Sequence, residues 1–411
     1  MLLMERHVKK VEHEAVVRGL GFQTDAASTQ KLRGTLAQVT DWDYLLKTAV
    51  HHGVFPSWYR RVADSCPEAV PPAVLSDCQR LYKLNARNNL RRVGELFKVL
   101  DLLASQGIAA VSLKGLILAN LAYGDMALRQ FNDLDFLVRH QDMPEVKQVL
   151  VAKGYSLLTP LTPSQERLHL RRDYELAFVY PKSSQSTELD IHWRFPDFLS
   201  GGLKAETAFR RKILVTLEGR QVYSLAPADM LLFLCLHASY HAWPKLSMVN
   251  DVARWLKAQG PWDWQGLLQY ADRLGMRRRL LLGLSLATEL LGASVPYEVA
   301  AMVRSDPVLF GLHDSLKKKL LSQAPMEEKF AERNLFQIKI RERFRDKLVY
   351  SLVHTAVPHI TDWSWAPLPD YLYWLYPIIR PLRLVTHYVI QPLWGRLIST
   401  LRATIPRRPS S

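Results

Sequence analysis

The chain has 411 residues and a formal net charge of +15, with an isoelectric point near 9.7. That length allows two or three domains and a large core, and 48% hydrophobic with 23% charged residues is ordinary for a globular protein. The charge favours anionic partners, whether nucleotides, nucleic acid or anionic lipid, over neutral ones, unless it is simply a solvated basic surface. Three scattered cysteines, Cys66, Cys78 and Cys235, exclude a disulfide framework or a cysteine metal site and point to a reduced, cytoplasmic protein. The start, MLLMERHVKKVEHEAVV, lacks the apolar core of a signal peptide. No run reaches the roughly 18–20 apolar residues of a spanning helix.

Residues 1–84 read as a helical N-terminal region, with apolar residues at helical spacing in Val11–Leu20 and Trp42–His51. Asp41 is the expected N-cap of the second segment, and Pro67, Pro71 and Pro72 mark a break. Asn85–Gln106 reads as one amphipathic helix closed at Gly107. It opens a core at 85–225. There a strand at 109–113 turns through Lys114-Gly115 into a helix to Tyr123, followed by a strand at 133–139, a helix Met143–Lys153 and a short strand Tyr155–Leu158. A polar helical piece containing His169 precedes two alternating runs, Tyr174–Tyr180 and Glu188–Trp193, which form a hairpin around Pro181–Ser186. Residues 226–350 read as a helical domain, with segments Ala228–Ala242, Met248–Lys257, Asp263–Leu274 and Arg277–Leu291 and no further strand. The tail, 351–411, is basic and aromatic. Its apolar pieces Tyr371–Ile379 and Leu384–Trp394 are either an amphipathic membrane-surface segment, placing the protein peripherally at the inner membrane surface, or a helix pair docked on the protein's own core.

The chemistry gathers at Asn132-Asp133-Leu134-Asp135, which leads into Phe136-Leu137-Val138. Residues two apart on a strand share a face, about 6.5–7 Å apart. Asp133 and Asp135 therefore point one way and Leu134 and Phe136 the other. Two carboxylates that close raise each other's pKa unless a cation intervenes. Mg²⁺ suits them, being a hard ion that binds one or two carboxylates together with substrate phosphates. The same alternation puts Glu188, Asp190 and His192 on one face of their strand, with Leu189, Ile191 and Trp193 on the other.

The ordered set LKG, LAYGD, LRQFNDLDFLV and ELDIHWRF resembles the DNA polymerase β-like nucleotidyltransferase superfamily, and within it a bacterial group of poorly characterised nucleotidyltransferase-family proteins, over about residues 85–260. The resemblance implies an α+β fold, a small mixed sheet flanked by helical regions on either side. It also implies Mg²⁺-dependent transfer of a nucleoside monophosphate from an NTP, most simply ATP, to a hydroxyl-bearing acceptor. Two metal ions would stabilise the attacking and leaving oxygens. Asp133 and Asp135 then share the metals, and Asp190, two residues before the His-Trp pair, is the third ligand or the general base, with Glu188 behind it. Gly115 permits close approach of phosphate at a helix start. The superfamily's Ser or Gly after that glycine is replaced by Leu116, so Lys114 is expected to supply charge to the triphosphate instead. The resemblance places Arg129 in the site, holding phosphate or clamping the carboxylates, while Tyr123 and Asp125 shape the loop between. It brings His237, His241 and Asp251 to the cleft from the helical side, where His192 also tunes Asp190 or meets substrate. His237 and His241 lack the glutamate of a zinc-protease motif. Two other readings stay open on the same fold: a non-catalytic nucleotide-binding scaffold, and an RNA-directed transferase, disfavoured because no basic-aromatic stripe lies near the acids.

Overall fold

The two acid-bearing segments lie side by side in the middle of a seven-stranded mixed sheet. A computed structural model describes residues 2–386 except 24, 181–186, 198, 200, 322–329 and 359. The strands are β1 (Val111–Ser112), β2 (Asp133–Leu137), β3 (Ser156–Leu157), β4 (Glu175–Tyr180), β5 (Thr187–His192), β6 (Ile213–Leu217) and β7 (Arg220–Ser224), in the order β3-β4-β5-β2-β1-β7-β6. β2 and β5 run parallel, as do β1 and β7. The remaining pairs are antiparallel. The architecture is α+β, as the sequence implies.

One face of the sheet is apolar because the alternation makes it so. Leu134, Phe136, Leu176, Phe178, Leu189 and Ile191 are buried on it. Met143, Val146 and Leu150 of the helix Met143–Ala152 join the same core. Each of these large side chains stabilises the fold by about 1.5–3 kcal/mol through burial. A slip of one residue would exchange this face with the acidic one, so the hydrophobic pattern also sets the register.

Helices flank the sheet on both sides in sequence. Asp41 caps the helix Trp42–His51 by accepting from the Tyr44 amide. The helix expected from Asn85 begins earlier, with Pro72 in its first turn, and runs to Ala104. Pro72 tolerates that position because its missing N–H has no intrahelical partner there. The helix Pro227–Tyr240 is buried on nearly every side, which suits its almost unbroken apolar sequence. Beyond residue 226 the described residues contain no strand, as expected.

The β6–β7 hairpin is absent from the sequence reading. Its signal is Glu218-Gly219, both at positive φ (47° and 77°), between two β-rich runs. A two-residue loop with both residues left-handed matches the twist of a hairpin. The expected turn Pro181–Ser186 and most of the tail piece Leu384–Trp394 lie outside the described residues. The first tail piece forms Asp370–Leu375 and the helix Tyr376–Val385. This helix docks on the chain itself: Arg380 donates to Asp362 (2.6 Å) and to the His354 carbonyl (2.8 Å). Among the described residues no helix is long and apolar enough to cross a membrane.

Candidate active site

The parallel register sets Asp133 opposite Glu188, Asp135 opposite Asp190 and Leu137 opposite His192. Direct neighbours on adjacent strands share a face about 4.8 Å apart. The non-local pairing thus adds Asp190 to the Asp133/Asp135 face, and one carboxylate oxygen from each of the three lies within 4.8 Å of the others. β4 extends this face, with Glu175 opposite His192.

The sequence reading sends Lys114 to the triphosphate. In the structure its ammonium lies on the acids, donating to Asp133 Oδ2 (3.0 Å) and Asp135 Oδ2 (2.6 Å). Burial alone would lower the Lys114 pKa, but the two carboxylates outweigh it and hold the group charged. Lys114's charge in turn holds Asp133 well below the usual carboxylate range. Among the described residues no Lys or Arg pairs with Asp190. Burial, and then the charges of Asp135 and Glu175, push it up to about 8, and the nearby His192 charge lowers its pKa only in part. Glu188 is raised by burial and by Asp133 and Asp135.

His192 approaches Asp135 Oδ1 through Nε2 (3.2 Å), and its Nδ1 lies 3.3 Å from Glu175 Oε2. Burial works against the imidazolium, yet the bond to Asp135 and the Glu175 charge raise its pKa. Tyr174 stacks on the same ring at 6.1 Å. Trp193 is buried on the opposite face. The Lys114 charge reaches both helical-side histidines. Burial, then Lys114 and His241, hold His237 well below its ordinary value, and burial with Arg333 and Lys114 lowers His241 to about 4. Their rings are 4.7 Å apart.

Arg129 neither clamps Asp133 and Asp135 nor stands free. Its fork grips Asp251, Nε to Oδ1 and Nη2 to Oδ2, both at 2.8 Å. Tyr123 donates to the same Asp251 (2.7 Å). Asp251 is therefore a buried support for Arg129, whose Nη1 is left buried without a hydrogen-bond partner. Asp125 caps the turn Met126–Leu128 through the Ala127 amide (2.8 Å) and accepts from Tyr82.

Gly115 sits at φ +56°, ψ −117°, before the helix Leu116–Leu121. A Cβ there would come no closer than 3.8 Å to the Asp133 carbonyl or Phe131. The glycine is needed for its backbone conformation rather than for space.

Sequence reasoning missed a polar stripe on the helix Pro72–Ala104. Asn85 donates to the Ala127 carbonyl (2.9 Å), Asn89 to those of Met126 (2.7 Å) and Arg129 (2.8 Å), and Arg92 reaches towards Asn132 (3.4 Å). Residues 82, 85, 89 and 92 recur at helical spacing and brace the loop that carries Arg129 into β2. Glu175 and Tyr174 were also missed, having been read only as strand residues.

The sequence profile of the uncharacterised nucleotidyltransferase family matches residues 38–292. The chain belongs to that family. It is a transferase, and Asp133, Asp135 and Asp190 form an acidic triad on one face of its sheet. Among solved structures it is similar to the antibiotic-resistance factor ANT(2'')-Ia, at 15% identity and a TM-score of 0.27, covering 55% of this chain and 98% of that one. No curated protein sequence matches this chain.

Proposed function

We propose that this nucleotidyltransferase moves a nucleoside monophosphate from an NTP, most simply ATP, to a hydroxyl-bearing acceptor, using Asp133, Asp135 and Asp190. The observation that carries the reading is the convergence of these three carboxylates from β2 and β5 within 4.8 Å. All three offer hard oxygen ligands, and Asp133 and Asp135 already share one cationic group, the Lys114 ammonium. The donor set therefore fits Mg²⁺. Bound Mg²⁺, as a pair of ions, would neutralise charge growing on the attacking and leaving oxygens.

The acceptor oxygen attacks the α-phosphorus, the bond to the bridging oxygen of the β-phosphate breaks, and pyrophosphate leaves with the electron pair. The hydroxyl proton goes to the Asp190 carboxylate. Without metal, burial and the charges of Asp135 and Glu175 raise the proton affinity of this carboxylate. His192 and Glu175 hold Asp135 in orientation from the β4 side. Tyr174, which stacks on His192, also lines a cavity of about 140 Å³ with Tyr240 and Tyr350, and this cavity is the proposed acceptor pocket.

A lipid surface is a second proposed partner. Leu348, Leu352, Trp374, Ile378 and Leu382 are exposed on the C-terminal helices, and Trp374 shares a surface hollow with Arg167, Arg171 and Arg172. Aromatic and arginine side chains in such proximity suit an anionic interface. Sedimentation with anionic, but not neutral, vesicles tests this partner.

The experiment for the activity is incubation with α-³²P-labelled NTPs and a fractionated small-molecule and RNA extract. Mg²⁺-dependent transfer of label to one fraction supports the reading and gives the acceptor class. Label released only as free nucleotide, or transfer that persists in Asp133→Asn, contradicts it.

A further inference from the structure

The Ser or Gly that the superfamily resemblance puts after the turn glycine is Leu116 here, and Lys114 is committed to the acids. Some other group must meet the charge of a triphosphate. Arg92 and Arg129 both place their guanidinium groups beside the Phe131 ring, 5.5 and 5.6 Å from its centroid. That ring lies 3.8 Å from where a Cβ on Gly115 would be. The two arginines and the glycine turn thus share one neighbourhood next to Asp133.

Both arginines are more than nine-tenths buried, and each retains an N–H without a partner among the described residues: Nε of Arg92 and Nη1 of Arg129. Arg129 has Asp251 for its charge. Among the described residues Arg92 has no carboxylate within ion-pair distance, only long bonds to Asn89 (3.3 Å) and Asn132 (3.4 Å). Asp133 acts on it only from beyond that distance, and a buried guanidinium whose charge is so weakly met is costly unless a ligand completes it. Arginine's fork matches phosphate oxygens, which makes a phosphate the natural supplier.

We infer that Arg92, together with Arg129, forms the polyphosphate-binding clamp of this site. The ligand class is a linear polyphosphate. The inference rests on the nucleotidyl-transfer reading only in making that group the donor's β- and γ-phosphates and the departing pyrophosphate.

The test is calorimetric titration of the full-length protein, in Mg²⁺ buffer, with inorganic tripolyphosphate, pyrophosphate and, as a control, sulfate. The wild type is expected to bind tripolyphosphate in preference to sulfate. Arg92→Gln should weaken that binding about 10- to 100-fold, the range for a lost charge-assisted hydrogen bond. Arg92→Lys should recover part of it, because a point charge returns without the fork. Thermal unfolding shows whether each variant is folded; if Arg92→Gln is not, Arg92→Lys carries the comparison with an expected loss of about tenfold. Wild-type protein that binds no tripolyphosphate, or a folded Arg92 variant within about twofold of wild type, overturns the inference. Failure of the parent reading looks different: tripolyphosphate binding would depend on Arg92 in a protein that transfers no nucleotide.

Discussion

Replacing Lys114 with methionine should make the fold depend on divalent metal. Lys114 is the cation shared by Asp133 and Asp135, and the Lys114 and Asp135 side chains are almost wholly buried. Methionine keeps the length of the side chain and removes its charge, leaving two carboxylates facing each other beside Asp190. Removing one partner of a buried ion pair costs about 3–5 kcal/mol. If the cluster binds Mg²⁺, ion at 100 times its Kd returns about 2.7 kcal/mol. Protons can also relieve the variant. In the wild type the Asp133 pKa is depressed below its ordinary 3.8 by Lys114, so the pair's contribution is present above that pH and is lost as pH falls below it. The variant lacks this contribution, and its deficit should therefore shrink in acid. Urea unfolding of both proteins in EDTA and in graded Mg²⁺ measures all of this. The reasoning is refuted if the variant matches wild type in EDTA at pH 7, or if Mg²⁺ stabilises the two proteins equally.

Further expectations concern neighbouring groups. Asp190 is raised from 3.8 to about 8, so in metal-free protein its contribution to stability falls as pH rises from about 4 towards 8. Cation binding needs its ionised form and should release a proton at neutral pH, seen as a calorimetric heat that varies with the buffer's ionisation enthalpy; Asp190→Asn should abolish both effects. Asp251→Asn weakens the counter-charge of buried Arg129 and should cost about 3–5 kcal/mol in chemical denaturation, much of it recovered in the Asp251→Asn/Arg129→Met double variant. Equal stabilities of the single and double variants would refute that coupling. Asn89→Ala frees the carbonyls of Met126 and Arg129, and should cost about 1–3 kcal/mol and lower kcat through the displaced loop. Gly115→Ala forces alanine into a positive-φ conformation outside the left-handed helical region and should destabilise by about 1–3 kcal/mol in the same assay.

What the sequence made legible follows from short-range periodicity. A period of two put Asp133 and Asp135 on one face and Glu188, Asp190 and His192 on another, and the parallel register then joined those faces. The helices Leu246–Gln259 and Trp264–Leu274 are legible from their apolar spacing, and Pro227–Tyr240 from its unbroken apolar run. The position of Lys114 was not, because it depends on where β1 meets β2 in space rather than on any local pattern. Tyr82, Asn85, Asn89 and Arg92 look, in sequence, like the solvated side of an amphipathic helix; only the packed loop at 125–132 turns them inward. The β6–β7 hairpin lacks the clean apolar-polar alternation of a half-buried pair, since Ile213 and Leu214 are consecutive apolar residues, both exposed at the sheet's edge. The sequence reading puts Arg129 in the site and Asp251 in the cleft but does not show that they pair, because the two are distant in sequence.

The most direct measurement is Mn²⁺ binding followed by electron paramagnetic resonance, with and without a non-hydrolysable NTP analogue. The account predicts that wild-type protein binds Mn²⁺, more tightly with nucleotide present, and that Asp135→Asn and Asp190→Asn each lose at least about tenfold in affinity. Mn²⁺ affinity unchanged in both variants would contradict the assignment of these carboxylates as the metal-binding centre of the transferase.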